Sequence, residues 1–264
     1  MMQKRIQLII RDAGLTSRRK AEEMILDGRV TLNGHVVTDP TLKADPDKDH
    51  IKVDGKLLRR PDSVKYYYLF NKPRNVVSTM SDPEGRPCLG DLLKPLKKRF
   101  FTVGRLDFDA EGLMILTNDG QIAQKLSHPS SRIPRTYLVK VRGTPDDKLL
   151  STVKKGMSIG DGERIGEVQW SLIKKQKTTS WIRMVLYEGK KNEIKRIFLQ
   201  IRHPVRKIRR VGFGPITLGT LPVGAWRTLT PKEMAKLADL LSQRPLHSRG
   251  NSGHTAPSKA GQKS

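Results

Sequence analysis

The sequence predicts an α+β protein in which a small helix–helix–hairpin module precedes a domain with a mixed, mostly antiparallel sheet. Two helical patterns followed by hairpin signals fill the first 60 residues. Beyond residue 65, strand patterns alternate irregularly with few crossover helices, which favours antiparallel neighbours and helices on one face of the sheet. A capping box at Thr230-Pro231-Lys232-Glu233 marks the start of a last helix.

The first module, residues 1–60, is predicted from helix and turn signals in sequence order. Residues 5–13 carry apolar side chains close to helical spacing. Thr16 or Ser17 can cap a second helix. Asn33-Gly34 lies between β-branched residues, which is the strongest short hairpin signal, and Asp54-Gly55 repeats this turn.

The segment 59–65 predicts a domain boundary, because it is short and charged and contains Pro61. Residues 61–244 are expected to form the second domain. Its predicted strands are residues 66–70, 113–117, 136–141, 167–173 and 181–187, and its predicted helices are residues 120–127, 145–155, 193–201 and 230–241. Residues 245–264 contain no acid and no large apolar residue after Leu246, which predicts a disordered basic tail.

The charge balance predicts a polyanionic partner. Lys and Arg total 51 against 26 Asp and Glu, a net charge of +25. Nucleic acid is favoured over a membrane surface, because no apolar run approaches the roughly 18 residues of a membrane span and no basic amphipathic helix carries Trp and Phe on its other face. The N-terminus lacks the apolar core of a secretory signal, so we expect a cytoplasmic protein without membrane association.

Metal and cofactor sites are not expected. Cys88 is the single cysteine, which excludes an internal disulfide framework and a Cys-based zinc site. We interpret it as a small buried residue in a reducing compartment. The six histidines show no metal-ligand spacing, and neither a phosphate-binding P-loop nor a G-x-G-x-x-G motif is present.

The candidate chemical groups are one acid, one aromatic residue and several bases. The motif GRLD ends in Asp107, and Arg105 points the same way if the motif is extended. Tyr137 lies on a predicted strand, and Lys195 and Arg196 lie in the first turn of a helix with an apolar face. Each also has a purely structural interpretation: a turn or ion-pair acid, a core tyrosine and solvated helix bases. As a set they suit a reaction that needs only one carboxylate.

The N-terminal module resembles an S4 RNA-binding domain. The resemblance covers nearly the whole module and includes the pattern R-x-A-E-E-M-I-x-x-G-R-V-x-[LV]-N-G from Arg19 to Gly34. It implies that the paired helices dock on structured RNA. The candidate RNA contacts in these helices are Arg5, Arg18, Arg19 and Lys20. A solvated face is the other interpretation, because acids dilute the patch.

The second domain resembles the RsuA/RluB branch of bacterial ribosomal RNA pseudouridine synthases, which also carry an S4 domain. The resemblance spans residues 2–241, and its five motifs occur in the family's order. They are Y-Y-L-F-N-K-P at 67–73, GRLD at 104–107, G-L-x-x-L-T-N-D-G at 112–120, R-x-Y at 135–137 and E-G-x-x-N-E-I-K-R at 188–196.

This resemblance implies a role for each candidate. Asp107 is the essential carboxylate, which either attacks the sugar or abstracts a sugar proton. Tyr137 stacks on the flipped uracil and can relay the C5 proton. Lys195 is the fixed cation that keeps Asp107 ionised, and Arg105 fills the space that the flipped base leaves. Beside the resemblance, Arg196 is a further candidate RNA contact.

Three positions depart from the family's pattern. Ala110 stands where Thr or Ser is usual, so one hydroxyl near the catalytic loop is absent. Asn75 replaces a glycine, and we expect the turn to survive because asparagine tolerates a left-handed backbone. Glu193 replaces the commoner glutamine.

We therefore predict an enzyme that isomerises a uridine to pseudouridine in ribosomal RNA, without a metal or cofactor. The motif E-G-x-x-N-E-I-K-R at 188–196 and the basic tail favour large-subunit 23S rRNA. The alternatives are a 16S rRNA pseudouridine synthase and a non-catalytic RNA-binding ribosome assembly factor. We expect a monomer that acts on precursor rRNA or on an assembling subunit.

Overall fold

The computed structural model describes residues 3–58, 64–96 and 99–242. Residues 3–58 form two helices and six short strands. The helices are α1 (Ile6–Asp12) and α2 (Arg18–Leu26), and the strands are β1 (Lys4–Arg5), β2 (Val30–Leu32), β3 (His35–Val37), β4 (Lys43–Ala44), β5 (Ile51–Val53) and β6 (Lys56–Leu57).

Local signals explain these elements. Ser17 caps α2, since its hydroxyl accepts a hydrogen bond from the backbone N–H of Lys20 at 3.1 Å. Asn33 and Gly34 both have positive φ, as a two-residue hairpin turn requires, and β2 pairs antiparallel with β3 across them. The two helices and the β2–β5 pair share one core, to which Ile6, Ile10 and Ile25 contribute completely buried side chains.

The larger part contains eleven further strands, most of them in one mixed sheet. The strands are β7 (Tyr67–Lys72), β8 (Phe101–Val103), β9 (Glu111–Thr117), β10 (Arg135–Arg142), β11 (Ser158–Gly160), β12 (Glu163–Arg164), β13 (Gln169–Lys175), β14 (Thr179–Leu186), β15 (Val205–Phe213), β16 (Ile216–Thr217) and β17 (Trp226–Thr228). The main sheet runs in the order β13-β14-β10-β15-β9-β7-β17, with β8 and β16 paired at its side. The β9–β15 pairing is parallel, and the other strand pairs of the main sheet are antiparallel within the residues described.

Helices cover both faces of this sheet. They are α3 (Leu89–Leu93), α4 (Gly120–Ser127), α5 (Asp147–Lys154), α6 (Glu193–Gln200) and α7 (Pro231–Ser242), with 3-10 turns at Lys94–Leu96 and Pro129–Ser131. On the front face, defined by Tyr137, Val139 and Ile182, helices α3, α5 and α6 pack against the sheet. On the back face, defined by Leu113 and Ile115, α4 and α7 pack against it.

The predicted fold class is confirmed, and two details of the prediction were wrong. Helices were expected on one face, whereas two separate apolar clusters hold helices on both. Strand β15 was not predicted, because Val205–Phe213 alternates bases with apolar residues beside a helical pattern and resembles a solvated segment. The predicted boundary overlaps residues 59–63, and the tail 245–264 is also outside the described residues, so both stay predictions. None of the described helices has the length and hydropathy needed to cross a membrane.

Gly112 allows β9 to lie directly against β15. Its φ is +115°, and a Cβ atom at this position would lie 2.2 Å from the carbonyl oxygen of Arg210 and 2.7 Å from its nitrogen. Backbone atoms on a central strand cannot move aside as a flexible side chain can. The parallel pair that joins the two halves of the sheet therefore requires glycine at this position.

We predict that Gly112→Ala lowers the free energy of unfolding by roughly 3 kcal/mol, because overpacking and left-handed strain act together. Gly55→Ala is the control, since Gly55 also has positive φ, +75°, but nothing within 4 Å of the added Cβ. Its cost should be roughly 1 kcal/mol, from strain alone. Urea unfolding curves measure both, and equal losses would contradict the close contact between β9 and β15.

Candidate active site

Asp107 lies in a tight loop between β8 and β9. The loop closes with a hydrogen bond from the backbone N–H of Ala110 to the carbonyl of Asp107 at 3.1 Å. Both Asp107 and Phe108 are exposed, and Phe108 keeps 44% of its surface accessible. The loop thus presents a carboxylate and an aromatic ring to solvent side by side.

The loop is anchored from beneath by Lys72, the last residue of β7. The Lys72 side chain is completely buried. Its Nζ donates hydrogen bonds to the carbonyl oxygens of Ala110 at 2.9 Å, Pro73 at 3.1 Å and Asp107 at 3.2 Å. An ammonium group has three N–H donors, so these three acceptors match its capacity.

Burial lowers the pKa of Lys72 to about 8, against the opposing attraction of the Asp107, Asp109 and Glu111 carboxylates. The group is therefore mostly a cation at pH 7. A buried positive charge next to the loop complements the acids that the loop carries.

The residues that follow Lys72 complete this support. The backbone N–H of Asn75 donates to the carbonyl of Phe108 at 2.7 Å, and Arg74 Nε donates to the carbonyl of Asp109 at 3.0 Å. Ser78 Oγ donates to the carbonyl of Leu106 at 2.6 Å. The φ of Asn75 is +59°, which confirms that asparagine serves in place of glycine at this turn.

The expected pairing of Lys195 with Asp107 was wrong. Lys195 Nζ contacts Asp109 Oδ1 at 2.6 Å, whereas Asp107 has no ion pair within 4.0 Å in the described part of the chain. The reason is geometric: helix α6 directs the first-turn lysine to the second acid of the loop. Lys195 therefore ties α6 to the loop through Asp109 and not through Asp107.

Tyr137 lies on the front face of β10, partly buried against the core. Its cross-strand neighbour on β15 is Arg210, which is 1% exposed and donates from Nε to the carbonyl of Leu113 at 2.6 Å. Complete burial lowers the pKa of Arg210, and the neighbouring Tyr137 hydroxyl partly opposes this effect. A buried cation thus lies beside the phenol.

The other predicted contacts differ in their surroundings. Arg105 is exposed next to the loop that carries Asp107. The predicted RNA contacts of the first module are also exposed, and they are Arg5, Arg18, Arg19 and Lys20. Lys20 pairs with Glu23 at 3.0 Å.

The guanidinium of Arg196 forms its hydrogen bonds and ion pairs within the protein. It donates from Nε to the carbonyl of Ile159 at 3.0 Å and from Nη2 to the carbonyl of Gly160 at 2.7 Å, and it pairs with Asp161 and Glu163. These bonds clamp the β11–β12 hairpin to α6. RNA binding by Arg196 stays a prediction, and this geometry does not favour it.

Glu193 is a buried acid at the start of α6. Its Oε2 accepts a hydrogen bond from the backbone N–H of Lys190 at 3.2 Å. Burial raises the pKa of Glu193 to about 7, and the nearby Glu188 carboxylate acts in the same direction. The hydrogen bond from Lys190 and the charges of Lys190 and Arg135 oppose this shift.

Sequence reasoning missed Lys72, Arg210 and Phe108 as site residues. Lys72 was part of the motif Y-Y-L-F-N-K-P, which signalled its importance without indicating its contacts. Arg210 gave no signal, because it is one of several bases in an unpredicted strand. Among residues 3–58, 64–96 and 99–242, no cluster of three or more His, Cys, Asp or Glu side chains is placed to hold a metal ion.

Comparisons with known proteins identify the family of this chain. Residues 66–200 match the RNA pseudouridylate synthase family, and residues 4–49 match the S4 domain. An uncharacterized RNA pseudouridine synthase of Aquifex aeolicus is 38% identical over 238 residues, covering 90% of this chain and 94% of the relative. The ribosomal large subunit pseudouridine synthase B of Bacillus subtilis is 39% identical over 237 residues, covering 89% and 96%.

A solved structure supports the same assignment. The crystal structure of a pseudouridylate synthase superposes with a TM-score of 0.63 at 25% identity, and it covers 90% of this chain and 100% of the other. The fold and the acid-bearing loop define an RNA-modifying isomerase. The chain belongs to the RNA pseudouridine synthase family and carries an N-terminal S4 domain.

We predict that Lys72→Met lowers kcat on RNA about 100-fold with little change in RNA affinity. Three backbone carbonyls lose their donor, and a loop shift of about 1 Å can cost that much in rate. Lys65→Met is the control, since Lys65 is an exposed lysine just before the same strand. Single-turnover kinetics and filter binding separate the two effects. Unchanged kcat in the Lys72 variant would show that the loop holds without its anchor.

We predict that Glu193→Gln changes how stability depends on pH. An acid whose pKa is about 4.5 unfolded and about 7 folded keeps more protons in the folded state between these values. The free energy of unfolding of the natural protein therefore falls as pH rises from 4.5 through 7. The amide that replaces the Glu193 carboxyl does not titrate. The free energy of unfolding of the variant, relative to that of the natural protein, should therefore rise by roughly 3 kcal/mol as the pH passes through this window.

Glu233→Gln is the matched control for this measurement. Glu233 lies in the first turn of α7, and its hydrogen bond with Arg227 lowers its pKa to about 2. Its stabilising effect is present above pH 4.5 and is lost only as pH falls toward 2. Urea unfolding at pH 5 and pH 8 measures the free energy of unfolding of each variant relative to the natural protein. This difference should change between the two pH values for the Glu193 variant and stay constant for the Glu233 variant. The same pH dependence of the free energy of unfolding in both variants would refute the raised pKa of the buried Glu193 carboxyl.

Proposed function

We propose that this enzyme converts a uridine of ribosomal RNA to pseudouridine with Asp107 as its catalytic carboxylate. The observation that supports this most directly is the division between the two acids of the loop. Lys195 engages Asp109, while Asp107 is exposed and has no ion pair within 4.0 Å among the residues described. The Asp107 carboxylate is therefore available to a substrate, whereas the Asp109 carboxylate is engaged within the protein.

The reaction breaks the bond between uracil N1 and ribose C1′ and forms a bond from C5 to the same carbon. The base must leave the helical stack, which costs a few kcal/mol. Asp107 either attacks the sugar or abstracts a sugar proton, and both routes need an ionised group that is correctly placed. The hydrogen bonds of Lys72 to the loop carbonyls provide this placement.

Tyr137 is proposed to stack on the flipped uracil and to relay the proton that leaves C5. The buried guanidinium of Arg210 next to its hydroxyl can stabilise negative charge that develops during this transfer. Lys195 is proposed to act through Asp109, as a positioning residue for the loop. Arg105 is proposed to occupy the space vacated by the flipped base.

The substrate class follows from charge and from the relatives. A net charge of +25 and the S4 domain favour a large structured RNA. The Bacillus subtilis relative is named for the large ribosomal subunit, so we favour 23S rRNA over 16S rRNA. We further propose that the enzyme acts as a monomer on precursor rRNA or an assembling subunit in the cytoplasm. The exposed cations Arg5, Arg18, Arg19 and Lys20 contribute affinity.

We predict that Asp107→Asn abolishes pseudouridine formation and leaves RNA binding intact or slightly tighter. The amide cannot act as the carboxylate, and a negative charge near phosphates is lost. Asp109→Asn is the matched control, with the same charge change two residues away, and it should reduce turnover without eliminating it. Chemical mapping of pseudouridine in purified 23S and 16S rRNA after incubation measures both.

Three outcomes would overturn parts of this proposal. Comparable turnover by the Asp107 variant would remove that residue from the mechanism. Modification confined to 16S rRNA would redirect the enzyme to the small subunit, and no modification by the natural protein in either RNA would favour the non-catalytic assembly factor.

A further inference from the structure

The back face of the sheet is divided into a covered half and a bare half. Apolar residues of β7 and β9 meet α4 and α7 there and form a core. The strands β10, β13 and β14 contribute no residue to that core, and β15 contributes only its last residue, Phe213. The side chains of these strands that point to the back face are half-buried or exposed. We call this bare half the rear basic face.

Cross-strand register defines two rows on the rear basic face. In the first row, Lys140 lies opposite Lys207 on one side and Trp181 on the other, and Trp181 lies opposite Lys174. The ammonium of Lys140 is 5.9 Å from the centre of the Trp181 ring. In the second row, Leu138 lies between Arg209 and Arg183.

The four strands contain no acidic residue. Lysines placed directly opposite each other in an antiparallel pair, as Lys140 and Lys207 are, destabilise the sheet. Glu111 on β9 offsets part of this repulsion, since it pairs with Lys207 at 2.9 Å and lies 3.8 Å from Arg209 Nε. Folding alone therefore does not account for this concentration of like charge.

Arg209 is only loosely paired within the protein, through the 3.8 Å contact of its Nε with Glu111. Its Nε is buried and lacks a hydrogen-bond partner in the described chain. The Arg209 side chain is nevertheless 34% exposed, and that of Lys207 is 36% exposed. These cations can therefore reach a ligand in solution.

We propose that the rear basic face binds the phosphate backbone of the same large RNA, at a distance from the uridine that is modified. The face is opposite the one that carries Tyr137 and the buried Arg210. It therefore cannot contact the flipped nucleotide and must bind another part of the RNA. This inference rests on the proposed RNA substrate, and charge complementarity favours a polyanion over a protein or a second copy of this basic chain.

The test compares two triple variants that lose the same charge. The face variant combines Lys140→Gln, Lys174→Gln and Arg183→Gln, and the control variant combines Lys148→Gln, Lys154→Gln and Lys155→Gln on the exposed side of α5. Binding to transcribed 23S rRNA is measured over a range of salt concentrations. Turnover at saturating enzyme is measured on a short stem-loop that contains the modified uridine.

The face variant should bind 23S rRNA more weakly than the control, with a salt slope reduced by up to roughly 0.9 for each phosphate that it no longer neutralises. Its turnover on the short stem-loop should equal that of the natural protein. Equal binding by the face and control variants would overturn the proposal, as would a loss confined to the short stem-loop.

Cross-linking of the natural protein provides a second readout that does not depend on variants. Ultraviolet cross-linking to 23S rRNA followed by peptide mapping should recover RNA on peptides that contain Trp181 or Lys140. RNA recovered only on peptides of the first module and the catalytic loop would refute the rear basic face. Failure of the natural protein to modify the RNA would count against the proposed function, whereas the binding comparison would still decide this inference.

Discussion

The loop that carries Asp107 depends on the buried ammonium group of Lys72. Three backbone carbonyls, two of them in the loop, accept its hydrogen bonds at 2.9 to 3.2 Å. A buried cation is costly unless its donors are satisfied, and here the acceptors and the nearby carboxylates offset that cost. Because Lys72 ends β7, the position of the loop is tied directly to the central sheet.

The sheet separates the chemical groups from much of the positive charge. Tyr137 and Arg210 point to the front face, and the residues of the rear basic face point the opposite way, because adjacent strand residues alternate in direction. Arg209 and Arg210 are neighbours in sequence and yet belong to opposite faces. One strand, β15, therefore serves both the candidate active site and the rear basic face.

The two loop acids show how an expected pairing can differ from the folded one. Sequence motifs placed Lys195 and Asp107 in one site, and the structure does bring both motifs together. The ion pair forms with Asp109 instead, since the direction of α6 decides which acid the lysine reaches. The same helix carries Arg196, whose guanidinium is hydrogen-bonded to the β11–β12 hairpin. It also carries Glu193, whose pKa is raised by burial, which favours the neutral form.

The sequence by itself determined the fold class, the order of the two modules, most helices and strands, and the family. These depend on local periodicity, caps, turn residues and short motifs, which are visible along the chain. Tertiary structure alone decided that helices cover both faces of the sheet, that Val205–Phe213 is a central strand, and that Lys72 and Arg210 are buried beside the site. The reason is that burial and ion-pair choice depend on residues far apart in sequence, whose distances only the folded chain sets.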